Sequence, residues 1–333
     1  MLILLASAAH ALSAEAQISA LMLQHDPILH FARRLLPPER AAHASALYAW
    51  CRRLDEIVDD VEEPGDERRV EATLRALDDW ERRFEGIIAG KPFDEVDRAL
   101  SDTFAANPSL SRAPFDAMVK GMRDDAVSRM RYSSFRPELL EYCYRVAGTV
   151  GEMLLPVLGL DPSDDDTVEA AIALGCAVQL INIARDVRSD LLQRDRIYLP
   201  REDAKRLGLD DASLERIITQ HAADAGNEGE RSPPAFRRLV RLQARRASVL
   251  LDRAAAAVPS MDRGQALLVA VLIELHHELL DALRECDYDS LRGDRIRVPS
   301  SRKIGVACAV AASILLRGPA SFWRGRDGRM RVQ

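Results

Sequence analysis

Cysteine pairing is missing from this chain. Its five cysteines (Cys51, Cys143, Cys176, Cys286 and Cys308) are scattered, odd in number and without CxxC spacing. That excludes a disulfide framework or zinc ribbon and fits reduced thiols in an intracellular protein. Excess positive charge is missing too. Lys and Arg number 46 against 52 Asp and Glu, a net charge of −6 with both signs mixed along the chain, so no nucleic-acid partner is expected. There is no GxGxxG and no P-loop, which leaves nicotinamide and ATP sites of those types unsupported. No strand-like alternation persists beyond a few residues. Aromatic residues are only 5% of the chain, yet 47% is hydrophobic and 29% charged, the composition of a soluble protein with a real core. The apolar runs Met1 to Ala9 and Ile304 to Leu316 are each too short for a bilayer, which takes about 20 residues. The first lacks the basic start of a secretory signal, leaving a first helix, a targeting remnant or a misassigned start. The second, flanked by Arg302, Lys303, Arg317 and Arg324, reads as a surface-lying amphipathic helix or as a helix packed on the body.

Helical periodicity is present instead. Leu47 to Val61, Val70 to Ile88, Pro114 to Met130, Glu138 to Leu158, Thr167 to Asp190, Ala235 to Val258 and Gln265 to Glu285 carry apolar residues at three/four spacing. Breaks fall at Pro37-Pro38, Pro64-Gly65, Gly90-Lys-Pro92, Asn107-Pro108, Gly159 to Asp166 and Asn227 to Pro234, and Asp166-Thr167 reads as a helix cap. The expected fold is all-α, about eight to ten helices in one domain, with sites between facing helices.

Two acidic rows carry the chemistry. Asp55 and Asp59, within Asp55-Glu-Ile-Val-Asp-Asp60, are four apart; Asn182, Asp186 and Asp190 step by four twice. Such residues share one helix face. Both rows sit among apolar residues, so both are expected to look inward, and two inward carboxylate rows repel unless cations lie between them. Oxygen-only ligands select hard ions, Mg²⁺ first and Mn²⁺ as an alternative. Mg²⁺ held this way completes its shell with water and substrate phosphate. Arg52 lies one turn before Asp55, and Arg185 adjoins Asp186. They read either as ion-pair partners of those aspartates or as diphosphate ligands. In Tyr142 to Gly151, Gly148 and Gly151 permit either close helix packing or a channel for a long apolar ligand. Val146, Ala147 and Val150 would line that channel, with Gln179 facing it. His276-His277 is not a metal pair, because adjacent residues face different ways.

With these pieces together, the chain resembles the squalene/phytoene synthase family, and within it the phytoene synthases, from about residue 25 to residue 303. The resemblance is carried by Leu36-Pro-Pro-Glu-Arg40, Tyr48 to Asp60, Gly121-Met122 with Asp125, Arg131-Tyr132, Tyr142 to Gly151, Gln179 to Asp190, Arg196-Ile-Tyr-Leu-Pro200, Tyr288, Arg295 and Arg302-Lys303. Trp50-Cys-Arg-Arg, Lys91-Pro-Phe and Ala99-Leu-Ser-Asp lean toward the phytoene synthases. The resemblance implies an isoprenoid-synthase helical bundle around a central cavity. The domain would occupy 21–300, after an N-terminal segment 1–20 of open assignment and before an apolar helix and basic tail at 301–333. It implies Asp55 and Asp59 as the first Mg²⁺-diphosphate motif and Asn182, Asp186 and Asp190 as the second. Tyr48, Arg52, Arg185, Tyr198 and Arg295 would lie near the diphosphates, and Tyr142, Val146, Ala147, Val150 and Gln179 in the cavity. The implied reaction joins two geranylgeranyl diphosphates, or farnesyl diphosphates in a C30 relative, without NADPH. The implied setting is cytoplasmic with peripheral membrane contact, or a plastid in a photosynthetic eukaryote. The chain departs from the family at His25-Asp-Pro-Ile-Leu29, where a hydroxyl-bearing segment is usual, at Ser189, where an acidic residue is usual, and at His276, often Tyr. The first departure keeps a non-catalytic relative in view as a rival.

Overall fold

The computed structural model describes residues 14–59, 67–127, 131–223, 231–291 and 295–322. Met1 to Ala9, Asp60 and the basic tail after Phe322 lie outside them. Among the described residues there is no strand. The helices are α1 (Ala14–His25), α2 (Pro27–Ala32), α3 (Pro38–Asp59), α4 (Glu67–Ile88), α5 (Glu95–Ala106), α6 (Ala113–Val127), α7 (Leu140–Cys143), α8 (Thr149–Leu158), α9 (Asp165–Arg194), α10 (Arg201–Arg206), α11 (Asp211–Ala223), α12 (Pro234–Ala255), α13 (Arg263–Glu285) and α14 (Ser300–Arg317). A π-helical turn at Tyr144–Gly148 joins α7 to α8. The seven periodic segments correspond to α3, α4, α6, α7 with α8, α9, α12 and α13. The short helices were not resolved by periodicity. α9 begins earlier than expected, with Asp164 in the N-cap position accepting a hydrogen bond from the Thr167 hydroxyl at 2.5 Å. Asp165 and Asp166 thus fall in the first turn, where negative charge meets the helix N-terminus favourably.

α9 is the axis of the fold and packs along α12 more extensively than any other described helix pair. It is long and apolar enough to cross a membrane by length and composition alone. Here it is a core helix that buries Cys176, Leu180, Ile181, Ile183 and Val187. Glycine sets its approach to α8. A Cβ on Gly151 would lie 2.3 Å from the Ala171 carbonyl oxygen, and one on Gly175 would lie 2.2 Å from that of Ala147. The close-packing reading of the glycine stretch therefore holds, and the same stretch also lines the cavity described below.

Five aromatics build a second core. Trp50, Trp80, Phe84, Phe104 and Phe115 pack together, with Phe84 and Phe115 stacked at 4.8 Å. This core seats α3. A half-buried ion-pair cluster fixes α3 further: Arg53 reaches Asp94 at 2.7 Å and Arg83 reaches the buried Asp97 at 2.7 Å. α14 buries Ala307, Val310 and Ile314 and packs on α13, while Ile304, Leu315 and Leu316 stay exposed. It is packed on the body and keeps an apolar outer edge.

Candidate active site

α3 and α9 carry the two acidic rows and bring them to one pocket of about 190 Å³. Asp55, Asp59, Asp125, Asp186 and Asp190 line it, and so do Arg52, Arg194, Arg196 and Arg295. Five carboxylates thus face four guanidinia. The pocket opens into an apolar cavity of about 380 Å³, because Arg52, Asp55, Val146, Gln179, Asn182 and Arg295 line both. Farther in, the walls are Leu, Val, Ala, Gly and Met, among them Ala147, Val150, Leu154, Leu174 and Leu268.

The rows meet through arginine. Arg194, the last residue of α9, donates from Nε and Nη2 to the two oxygens of Asp59, each at 3.0 Å, and from Nη1 to Asp190 at 3.4 Å. Asp195 then ends the helix with a left-handed backbone (φ 53°), which swings Arg196 back so that its backbone N–H donates to the Asp190 carbonyl at 2.9 Å. The Arg196 side chain is buried, 3.8 Å from Asp59 and 3.9 Å from Asp125. Arg52 stands 3.6 Å from Asp55, 3.3 Å from Glu56 and 4.0 Å from Asp59. Asp186 receives paired hydrogen bonds from Arg185 (2.8 and 2.6 Å) and from Arg295 (2.9 and 2.7 Å). The ion-pair reading of Arg52 and Arg185 is thus realised. Arg295 stays on both cavities, whereas Arg185 sits behind Asp186 and is not among the residues lining either cavity.

The carboxyls respond differently to this setting. Burial pushes Asp190 up to about 7, helped by the charge of Asp186 and opposed by Arg194 and Arg196. Asp55 also rises to about 7, through enclosure by the protein and the charge of Asp59, against the pull of Arg52. Its side chain nevertheless keeps 40% of its accessible surface. For Asp186 burial acts upward as well, but the hydrogen bonds from Arg185 and Arg295 prevail and hold it below the usual range. Asp125 is pushed up to about 6 by burial, opposed by Arg196. It accepts from the Tyr142 hydroxyl at 3.1 Å, and its Oδ1 is buried without a hydrogen-bond partner. Tyr132, Tyr142 and Tyr198 stack beside it, with Tyr142 and Tyr198 at 5.2 Å.

An all-oxygen donor set, an orphaned carboxylate oxygen and three carboxyls raised chiefly by burial suit a hard divalent cation. Among the described residues no three Asp, Glu, His or Cys side chains form a cage by themselves. Such a site would need outside ligands, as Mg²⁺ sites built on one or two carboxylates plus phosphate do.

The remaining predicted residues fall as follows. Tyr48 lines the apolar cavity beside Arg52 and Asp55, and burial raises its phenol well above the ordinary value. Tyr142, Tyr198, Val146, Gln179 and Asn182 line the polar mouth, and Ala147 and Val150 the tunnel. In the divergent segment, Asp26 is an N-cap whose carboxylate accepts from the Leu29 N–H at 2.9 Å, and His25, Asp26 and Leu29 line the cavity. His276 is buried with its Nδ1 2.7 Å from the Leu272 carbonyl, a packed residue rather than a ligand. Sequence reasoning assigned no role to Arg194, Arg196 or Asp125. The spacing of Arg194, four after Asp190, was the one available signal for it.

An all-α protein with a charged mouth over an apolar tunnel is the class these features define. The squalene/phytoene synthase profile matches residues 23–302, and the chain belongs to that family. It is 37% identical over 286 residues to phytoene synthase 1, chloroplastic, of Arabidopsis thaliana, covering 84% of this chain and 62% of that protein. It is also 37% identical over 291 residues to the phytoene synthase, chloroplastic, of Daucus carota, covering 86% and 67%. The chain thus spans about three fifths to two thirds of the length of these curated relatives. Among solved structures, a dehydrosqualene synthase in complex with ligand superposes with a TM-score of 0.75 at 30% identity, over 91% of this chain and 97% of that one. Squalene synthase HpnC from Alicyclobacillus acidocaldarius, at 23% identity and a TM-score of 0.67 over 82% and 92%, shares the fold.

Proposed function

We propose that this chain is a Mg²⁺-dependent prenyltransferase of the phytoene synthase type, joining two geranylgeranyl diphosphates head to head (1′-1) through prephytoene diphosphate to phytoene. The observation that carries the reading is the continuity of the acid- and arginine-lined mouth with the apolar tunnel through six shared residues. A prenyl diphosphate has the same two-part character.

Asp55, Asp59, Asn182, Asp186 and Asp190 would hold Mg²⁺, or Mn²⁺ in its place, together with diphosphate oxygens. When bound, the metal neutralises charge on the departing diphosphate. Arg52 and Arg295 line both cavities, so their guanidinia would clamp the diphosphate and stabilise it as it leaves. Each side chain has only to exchange an aspartate oxygen for a phosphate oxygen. The tunnel walls at Val146, Ala147 and Val150 would hold the chain extended and exclude water from the allylic cation. Attack by the second substrate's double bond and loss of a proton would give the cyclopropyl intermediate, which would expel its remaining diphosphate, rearrange and lose a second proton to give the product. The Asp125–Tyr142–Tyr198 group lies beside the mouth with an unpartnered carboxylate oxygen, a suitable place for that proton. No reductant enters the sequence.

The likeness to a dehydrosqualene synthase at 30% identity favours a second reading, the same chemistry on farnesyl diphosphate. Incubating purified protein with Mg²⁺ and each diphosphate separately, with lipids read by mass spectrometry, decides between them. Phytoene from the C20 substrate supports the main reading, and a C30 product alone supports the second. No product from a folded sample favours a non-catalytic relative. The greasy product and the apolar edge of α14 further support peripheral contact with a membrane, in a bacterial cytoplasm or in a plastid. Flotation with liposomes tests that contact.

A further inference from the structure

We propose that Arg194 is an exchangeable counter-ion: it holds the two acidic rows together in the metal-free protein and must release Asp59 before a divalent cation can bind there. The inference rests on the metal-diphosphate reading above. Its observations are the bridge itself and the crowding of Asp59. One guanidinium grips both oxygens of Asp59 at 3.0 Å and reaches Asp190 at 3.4 Å, across 135 residues of chain. Asp59 also has Arg196 at 3.8 Å and Arg52 at 4.0 Å. Three cations therefore surround one carboxylate, while among the described residues Arg52 is the one ion-pair partner of Asp55 within 4 Å.

Paired N–H donors on a carboxylate make a strong contact, specific in direction. It takes one lone pair on each Asp59 oxygen and sets positive charge where a metal would sit, so a metal must compete with it for that carboxylate. Arg194 can be displaced. Its side chain is 32% accessible, against 8% for Arg196, and it ends α9 next to the left-handed Asp195, so no following helical turn packs over it. A released Arg194 would stay at the rim of the mouth, where an arriving diphosphate offers a new anionic partner. Metal binding and diphosphate binding would then reinforce each other, because the anion rehouses the cation that the metal evicts.

The test titrates the whole chain with Mn²⁺ alone, followed by electron paramagnetic resonance of the free ion, and records metal-free thermal melts. R194Q should bind Mn²⁺ roughly ten-fold more tightly than the wild type, since the metal no longer competes with a charge-assisted pair. It should also melt lower without metal and recover on adding Mn²⁺. R194K, which keeps the charge but not the fork, should fall between the two and decides the matter if R194Q does not fold. Equal or weaker Mn²⁺ binding by these variants overturns the inference alone. Absence of Mn²⁺ binding by wild type and variants alike, with or without inorganic pyrophosphate, overturns the metal reading and this inference with it.

Discussion

The mouth and the tunnel of this cavity share walls but are built on opposite chemistry. At the mouth, five carboxylates and four guanidinia lie together, with Asp59, Asp186 and Asp190 hydrogen-bonded to arginine. The local order comes from directional, charge-assisted hydrogen bonds, and every one of them can be traded for a phosphate or a metal. In the tunnel no side chain is asked to exchange partners. Its shape comes from backbones brought into contact at Gly151 and Gly175 and from aliphatic side chains that cannot bond to anything. The mouth is adaptable and the tunnel fixed, so the mouth should govern rate and the tunnel should govern which chain length enters.

Several substitutions probe that division. The largest expected effect is at the mouth. D55N or D186N should lower turnover on the order of 10³-fold, as loss of a group that stabilises developing charge does, with circular dichroism unchanged. A loss under ten-fold would break the assignment of the mouth to the ionisation step. In the tunnel, V150F should shift the preference toward the C15 over the C20 substrate by roughly ten-fold, because about two of the longer chain's extra carbons lose their apolar contacts. Mn²⁺ affinity should not move, and a change there would show the two regions are coupled. G175A tests the fixed walls. Its new methyl meets the Ala147 carbonyl, and urea denaturation should register a loss of roughly 1–3 kcal/mol.

The smallest effect is the pH dependence of the mouth. Asp190 moves from an ordinary 3.8 to about 7 in the folded protein. The folded state therefore takes up a proton, between about pH 4 and 7, that the unfolded chain does not. This group's stabilising contribution is complete below that range and is lost as pH rises through 7. The metal-free melting temperature should accordingly carry a component that falls between about pH 4 and 7 and levels off above that. D190N should flatten that component and so should Mg²⁺, whereas an unaltered slope in D190N would sink the assignment.

The same division explains what could be read without coordinates. The acidic rows were legible because four-residue spacing alone puts Asp55 with Asp59, and Asn182 with Asp186 and Asp190, on one face. The long helices were legible from their apolar period. The bridge from Arg194 to Asp59 was not, since it depends on how α9 crosses α3 and on the left-handed turn at Asp195. Nor could Gly148 and Gly151 be divided between packing and channel. In the folded chain the same turn of backbone does both. The short helices α5, α10 and α11 were missed because few residues carry their period. Asp26 was legible only as part of a segment that departs from the family, and folding gives it a helix N-terminus to cap.

The most direct measurement is a crystal structure with Mn²⁺ and a thiolo analogue of geranylgeranyl diphosphate that cannot ionise. The account predicts anomalous peaks between Asp55, Asp59, Asp186 and Asp190, the diphosphate on Arg52 and Arg295, and the chain running past Val146 and Val150. Metal or diphosphate bound elsewhere, or a chain lying outside the tunnel, would contradict it.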